Sequence, residues 1–167
     1  MLKRVPRALP TVLMTFMILA TLARPAFAGE VEEKNKAVAR TALEEMLGRG
    51  RIEENEAIYS PDYVSHGSRD IGRADDRETT KGWRQAFPDL RVQIDKILAE
   101  GDLVSVRFIA EGTNTASGLG LPATGKAIRI TGTTILRIVD GKIVEEWPSF
   151  DQLDLLRQLG LMPAASK

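Results

Sequence analysis

Hydrophobic and polar positions repeat with two different periods along this chain. Between Glu30 and Leu47, Val31, Val38, Ala42 and Met46 recur at helical spacing, giving one apolar stripe that Gly48 and Gly50 bring to an end. Ile52–Tyr59 predicts a short second helix closed by Ser60-Pro61, Asp62–His66 a brief strand, and Gly67–Gly72 a polar, turn-forming stretch. A third helix is expected from about Ala74 to Ala86, with Trp83 and Phe87 pointing inward and Pro88-Asp89 breaking it.

The second half repeats every two residues. Leu90, Val92 and Ile94 alternate with polar neighbours, as do Val104, Val106, Phe108 and Ala110, the pattern of half-buried strands joined here by Glu100-Gly101-Asp102. After a Gly-rich loop, Thr115–Gly125, a long strand is predicted over Lys126–Val139, with Gly132 marking a bulge or bend. Asp140-Gly141 signals a two-residue hairpin into a last strand, Lys142–Trp147, and Asp151–Leu159 reads as a terminal helix capped by Asp151. Helices followed by long antiparallel strands predict an α+β fold, a cone whose curved sheet wraps against three N-terminal helices, with a short C-terminal helix. The hollow of such a cone is its natural ligand site.

Residues Met1–Ala28 change the compartment expected. Lys3, Arg4 and Arg7 precede an uncharged apolar run, Thr11–Ala23, and Ala26-Phe27-Ala28 stands before Gly29, the order of a cleavable signal peptide. The run is shorter than the roughly 20 apolar residues that span a bilayer, so no stable membrane anchor is expected after cleavage. A single domain, residues 29–167, is then expected in the periplasm or outside the cell. The signal holds four of the 23 Lys+Arg and no acid, leaving 19 basic against 23 acidic residues, which argues against a nucleic-acid partner. With no Cys, the chain lacks disulfides, thiol nucleophiles and thiolate metal ligands.

Several blocks are similar to a known family. Tyr59-Ser60-Pro61-Asp62-Tyr63-Val64, His66, Ala86-Phe87-Pro88-Asp89-Leu90, Ala99-Glu100-Gly101-Asp102, Gly120–Gly125 and Arg137–Ile143 resemble the SnoaL-like polyketide cyclases, or ester cyclases. The resemblance implies the nuclear-transport-factor-2-like cone. It implies an intramolecular aldol ring closure, with an Asp as general acid/base and neither cofactor nor metal. It also places that Asp on Pro148, and proline cannot move a proton. Such ring closure is a cytoplasmic step beside a synthase, so an export signal points away from a biosynthetic cyclase.

Aldol chemistry needs a base beside a carbonyl and a donor for the oxyanion. Asp151, three residues after Pro148, is the candidate acid, with capping of the terminal helix as its alternative role. His66, the only histidine, is the candidate base or carbonyl-orienting group, with a ring satisfied by a backbone group as its alternative. A lone His without a ligand-spaced partner predicts no metal site. Trp83, Phe87, Phe108, Trp147 and Phe150 are the candidate pocket lining, and their alternative is plain core. Periodicity places Arg107 and Glu111 on the outer face of their strand. The functions expected are acid/base cyclisation or isomerisation of a small hydrophobic carbonyl compound, or binding of such a ligand without chemistry. A third reading makes the sheet's open face a homodimer interface.

Overall fold

The computed structural model describes residues 24–162. The charged and apolar parts of the expected signal peptide, up to residue 23, therefore lie outside the described residues. The first helix, α1, begins at Arg24 and runs to Arg40, through the Ala28–Gly29 junction. No helix among the described residues is long and apolar enough to cross a membrane.

At Thr41 the helix loosens into a π turn that continues to Gly48 and buries Ala42, Leu43 and Met46. Val38 and Ala42 pack on the sheet and Met46 is buried, as the stripe predicts, whereas Val31 stays about half exposed. A 3₁₀ turn, Glu53–Ile58, leads into β1, Tyr59–His66. The turn predicted after it contains a short strand, β2, Asp70–Gly72, paired antiparallel with β1. Helix α2 spans Arg73–Ala86. Four strands follow: β3, Arg91–Glu100; β4, Leu103–Thr113; β5, Ala127–Val139; and β6, Lys142–Phe150, with α3, Gln152–Gln158, closing the described part.

The six strands form one curved, unclosed sheet in the order β2-β1-β6-β5-β4-β3. β1 runs parallel to β6, and every other neighbouring pair is antiparallel. The β5–β6 turn follows the sequence signal, with positive φ at both Asp140 (50°) and Gly141 (74°), which suits the right-handed twist of a hairpin. The α+β cone is therefore the observed fold.

Two clusters fill the space between sheet and helices. One joins Ala39, Ala42 and Leu43 to Tyr63, Val104, Val106, Leu136, Ile138 and Ile143. The other joins Ala86, Phe87 and Leu90 to Ala110, Ile128, Ile130, Leu155 and Leu159. Gly132 does not mark a bulge. Its pairings with Phe108 and Phe150 are regular, and a Cβ there would overlap the Phe108 ring. The missing side chain makes room for an aromatic ring, and the bulge of this strand pair sits elsewhere. Arg107 and Glu111 do occupy the outer face, pairing with Asp95 and Arg129 rather than with each other.

Candidate functional site

A cavity of about 410 Å³ opens between the π turn Thr41–Gly48, α2 and the concave side of the sheet. What faces it is set by a bulge in β6. Arg137 pairs with Glu145 and Ile138 with Ile143, so Val144 is an extra residue between two regular stretches. Strand side chains alternate, and one extra residue moves all later ones to the opposite face. Before the bulge Ile143 points inward. After it Glu146, Pro148 and Phe150 line the cavity, while Trp147 does not and stacks on His66 instead.

Glu146 is the half-buried acid of the site, its carboxyl desolvated by its neighbours. The Tyr63 hydroxyl donates to its Oε2 at 2.7 Å and the Thr134 hydroxyl to its Oε1 at 2.8 Å. Alternation along β1 turns Tyr63 and Ser65 inward, and Thr134 on β5 sits opposite Pro148. Burial raises the pKa of the Glu146 carboxyl to about 7, with the nearby Asp76 charge adding to the rise and the two hydroxyl donors opposing it. Desolvation wins over the hydrogen bonds, so this carboxyl changes charge near neutrality.

Helix α2 brings the second polar group. Arg73, Asp76, Thr80 and Trp83 fall at helical spacing on one face, and the last three line the cavity. Arg73 Nη1 donates to Asp76 Oδ2 at 2.7 Å. Its Nε and Nη2 donate to Glu56 at 2.9 and 2.7 Å, and its guanidinium lies 3.7 Å over the Tyr59 ring. Burial raises the Asp76 pKa, and Arg73 opposes that rise. Burial also raises the pKa of both Tyr59 and Tyr63, keeping both phenols protonated.

The residues picked out from sequence are divided between the inside and the outside. Trp83, Phe108 and Phe150 line the cavity, with Phe150 edge-on to Trp83 at 5.6 Å. Phe87 is fully buried in the second core cluster and does not reach the cavity wall. His66 and Trp147 stack on each other, ring centroids 5.1 Å apart, on the outer side of the sheet. His66 Nδ1 is 2.9 Å from Asp70 Oδ1 and Nε2 is 3.3 Å from Glu145 Oε1, and Glu145 is also paired with Arg137. The bond to Asp70, with Glu145 adding to it, raises the His66 pKa. Asp151 caps α3, its Oδ1 accepting from the Asp154 backbone N–H at 2.8 Å, and it is not among the cavity-lining residues. His66 and Asp151 are not hydrogen-bonded to each other. Among the described residues no cluster of three or more His, Asp or Glu is arranged to hold a metal ion.

Sequence reasoning missed Glu146, Asp76, Tyr63 and Thr134. The helical stripe through Arg73, Asp76, Thr80 and Trp83 is a legible signal for Asp76. For Glu146 none exists, because unbroken alternation from Ile143 selects Glu145 and Trp147.

The comparisons agree with this architecture. The sequence model of the SnoaL-like polyketide cyclase family matches residues 37–159. AclR of Streptomyces galilaeus, a candidate hydroxylase, is 29 % identical, with TM-score 0.73 over 81 % of this chain and 87 % of its own. IdmH of Streptomyces antibioticus, a candidate polyketide cyclase, is 27 % identical, with TM-score 0.67 over 75 % and 98 %. A candidate polyketide cyclase of Acidithiobacillus ferrooxidans is 27 % identical, with TM-score 0.68 over 78 % and 96 %. No curated protein matches the sequence.

Proposed function

Because the chain belongs to the SnoaL-like polyketide cyclase family, we propose that it is a cofactor-independent acid–base catalyst, performing aldol-type cyclisation or isomerisation of an apolar carbonyl compound held in the cone. Glu146 exchanges a proton with the bound substrate. The observation that carries this reading is a carboxyl buried in an aromatic-walled cavity, bonded to two hydroxyls, with its charge change near pH 7. Glu146 stands one strand repeat before Pro148, on the same face, so it keeps a carboxyl beside the place where the family resemblance puts the acid.

Family and fold do not choose the chemistry by themselves, since the similar structures include a candidate hydroxylase as well as candidate cyclases. The experiment is therefore one of carbon-acid activation. α-Tetralone, a bicyclic ketone small enough for the cavity, is incubated with the protein in D₂O and deuterium at the carbon next to its carbonyl is followed by NMR. The parent protein should accelerate exchange, and Glu146→Gln should lower the rate by about 100-fold or more. Exchange at the protein-free rate would overturn the catalytic reading. Pro148 in the cavity wall favours a second reading, a small-ligand-binding protein, for which α-tetralone would raise the melting temperature without any exchange.

Export belongs to the same proposal. Cleavage after Ala28 would release a periplasmic or secreted domain, and N-terminal sequencing of protein recovered outside the cytoplasm should read from Gly29.

A further inference from the structure

Glu146 does not face the cavity alone. Among the described lining residues, Asp76 is the only other carboxylate. Tyr63 neighbours both: its hydroxyl donates to Glu146 Oε2 at 2.7 Å and lies close enough to Asp76 to lower that carboxyl's pKa. A phenol has one proton and can accept as well as donate, so it serves one carboxylate as donor while taking a proton from the other.

The two acids are supported differently. Asp76 has a cation, Arg73, whose remaining donors are held by Glu56 and whose face rests on Tyr59. Glu146 is hydrogen-bonded only to the hydroxyls of Tyr63 and Thr134; Arg73 lowers its pKa from a distance, and among the described residues no Lys or Arg forms an ion pair with it. Two carboxyls in one cavity, one charge-compensated and one not, are thereby set to different protonation states in the same pH range.

Resting on the reading of Glu146 above, we propose that Asp76 is a second catalytic carboxylate and that Tyr63 couples it to Glu146 as an acid–base pair for enolising an apolar ring ketone. Asp76, ionised, takes a proton from the carbon next to the carbonyl. The electrons of that C–H bond become the C=C bond, and the carbonyl π electrons form an O–H bond with the proton of Glu146. Asp76 then passes its proton to the Tyr63 oxygen as Tyr63 passes its own to Glu146. The ketone has become an enol, and the three side chains have returned to their starting states. No further reactant is consumed. Aldol ring closure and double-bond migration both begin with this step, which makes planar ring ketones with an enolisable CH₂ the substrate class.

The test is the pD dependence of α-tetralone exchange in the full-length protein and its variants. The acidic protons of the three groups exchange with D₂O, so each return to carbon leaves deuterium there. The parent should give a bell, its acid limb set by Asp76 and its alkaline limb by Glu146. Asp76→Asn should lower exchange by about 100-fold and remove the acid limb, with α-tetralone still raising the melting temperature. Tyr63→Phe should slow exchange and move the alkaline limb to higher pD, because the ionised Glu146 loses a donor. Asp76→Asn exchanging at the parent rate, while Glu146→Gln does not, would overturn the role of Asp76 and leave that of Glu146 standing. Should Asp76→Asn fail to fold, the Tyr63→Phe profile decides: an alkaline limb that stays in place rules out the coupling. A parent protein that leaves α-tetralone unexchanged overturns the reading of Glu146 and this pair with it.

Discussion

At the scale of single residues, a site of this kind is built against folding stability. Glu146 has its carboxyl raised to about 7 by burial, against a usual value of 4.5. A raised pKa means that the folded state holds the proton more tightly than the unfolded one. The associated stability is present below pH 4.5 and is lost as pH rises through 7. Glu146→Gln removes this loss, so at pH 8 the variant should be more stable than the parent by about 1–3 kcal/mol, while the two converge toward pH 5. Urea titrations at the two pH values check it, and equal pH slopes in both proteins would contradict the burial of this charge. Loss of exchange together with a gain in stability is the pattern of a group kept for chemistry rather than for folding.

At the scale of elements, the cavity depends on two departures from regular strands. The bulge at Val144 turns Glu146, Pro148 and Phe150 inward, and Gly132 on the neighbouring strand leaves space for the Phe108 ring that lines the same cavity. A methyl at Gly132 cannot coexist with that ring in its present place. Gly132→Ala should therefore destabilise the protein by about 1–3 kcal/mol, and adding Phe108→Leu should recover part of the loss. A double-mutant cycle from thermal melts measures the coupling, and strict additivity would show that the ring is not what Gly132 accommodates. Helix α2 contributes by a simpler rule, since helical spacing alone aligns Arg73, Asp76, Thr80 and Trp83.

At the scale of the whole molecule, His66 ties together parts of the chain distant in sequence. It lies at the end of β1, bonds Asp70 across the turn into β2 and meets Glu145 on β6, whose other partner is Arg137 on β5. Both ring nitrogens face carboxylates, so the doubly protonated ring satisfies the site best. Its raised pKa contributes stability that is present below the usual 6.5 and is lost as pH rises through the raised value. Stability measured from about pH 6 to pH 8.5 should fall more steeply in the parent than in His66→Gln. Identical slopes would show that the imidazolium is not retained. The residues bridged, Gly67, Ser68 and Arg69, form part of the cavity wall, so the same measurement reports on the integrity of its rim.

Local rules were enough for much of this protein. The helical stripes, the two-residue alternation and the Asp140-Gly141 turn are short-range consequences of backbone geometry, and they led from the chain to an α+β cone. The family blocks led to the same cone. The inward position of Trp83 and Phe108 followed from the same periodicities, whereas that of Phe150 depends on the bulge. The polar heart of the site did not. One unpaired residue at Val144 reverses the faces of β6, and the sequence around it carries no mark of the reversal. Parallel pairing of β1 with β6 and the crossing of α2 then bring Tyr63, Asp76 and Glu146 together from three separate segments. Asp151 shows the converse, since an Asp before a helix is a good cap wherever the helix lies, and only its place in the fold separates that role from one in the cavity. Local periodicity thus determined what kind of scaffold forms, while strand register and element packing decided which carboxyls it encloses, because burial is a property of neighbours brought together by folding.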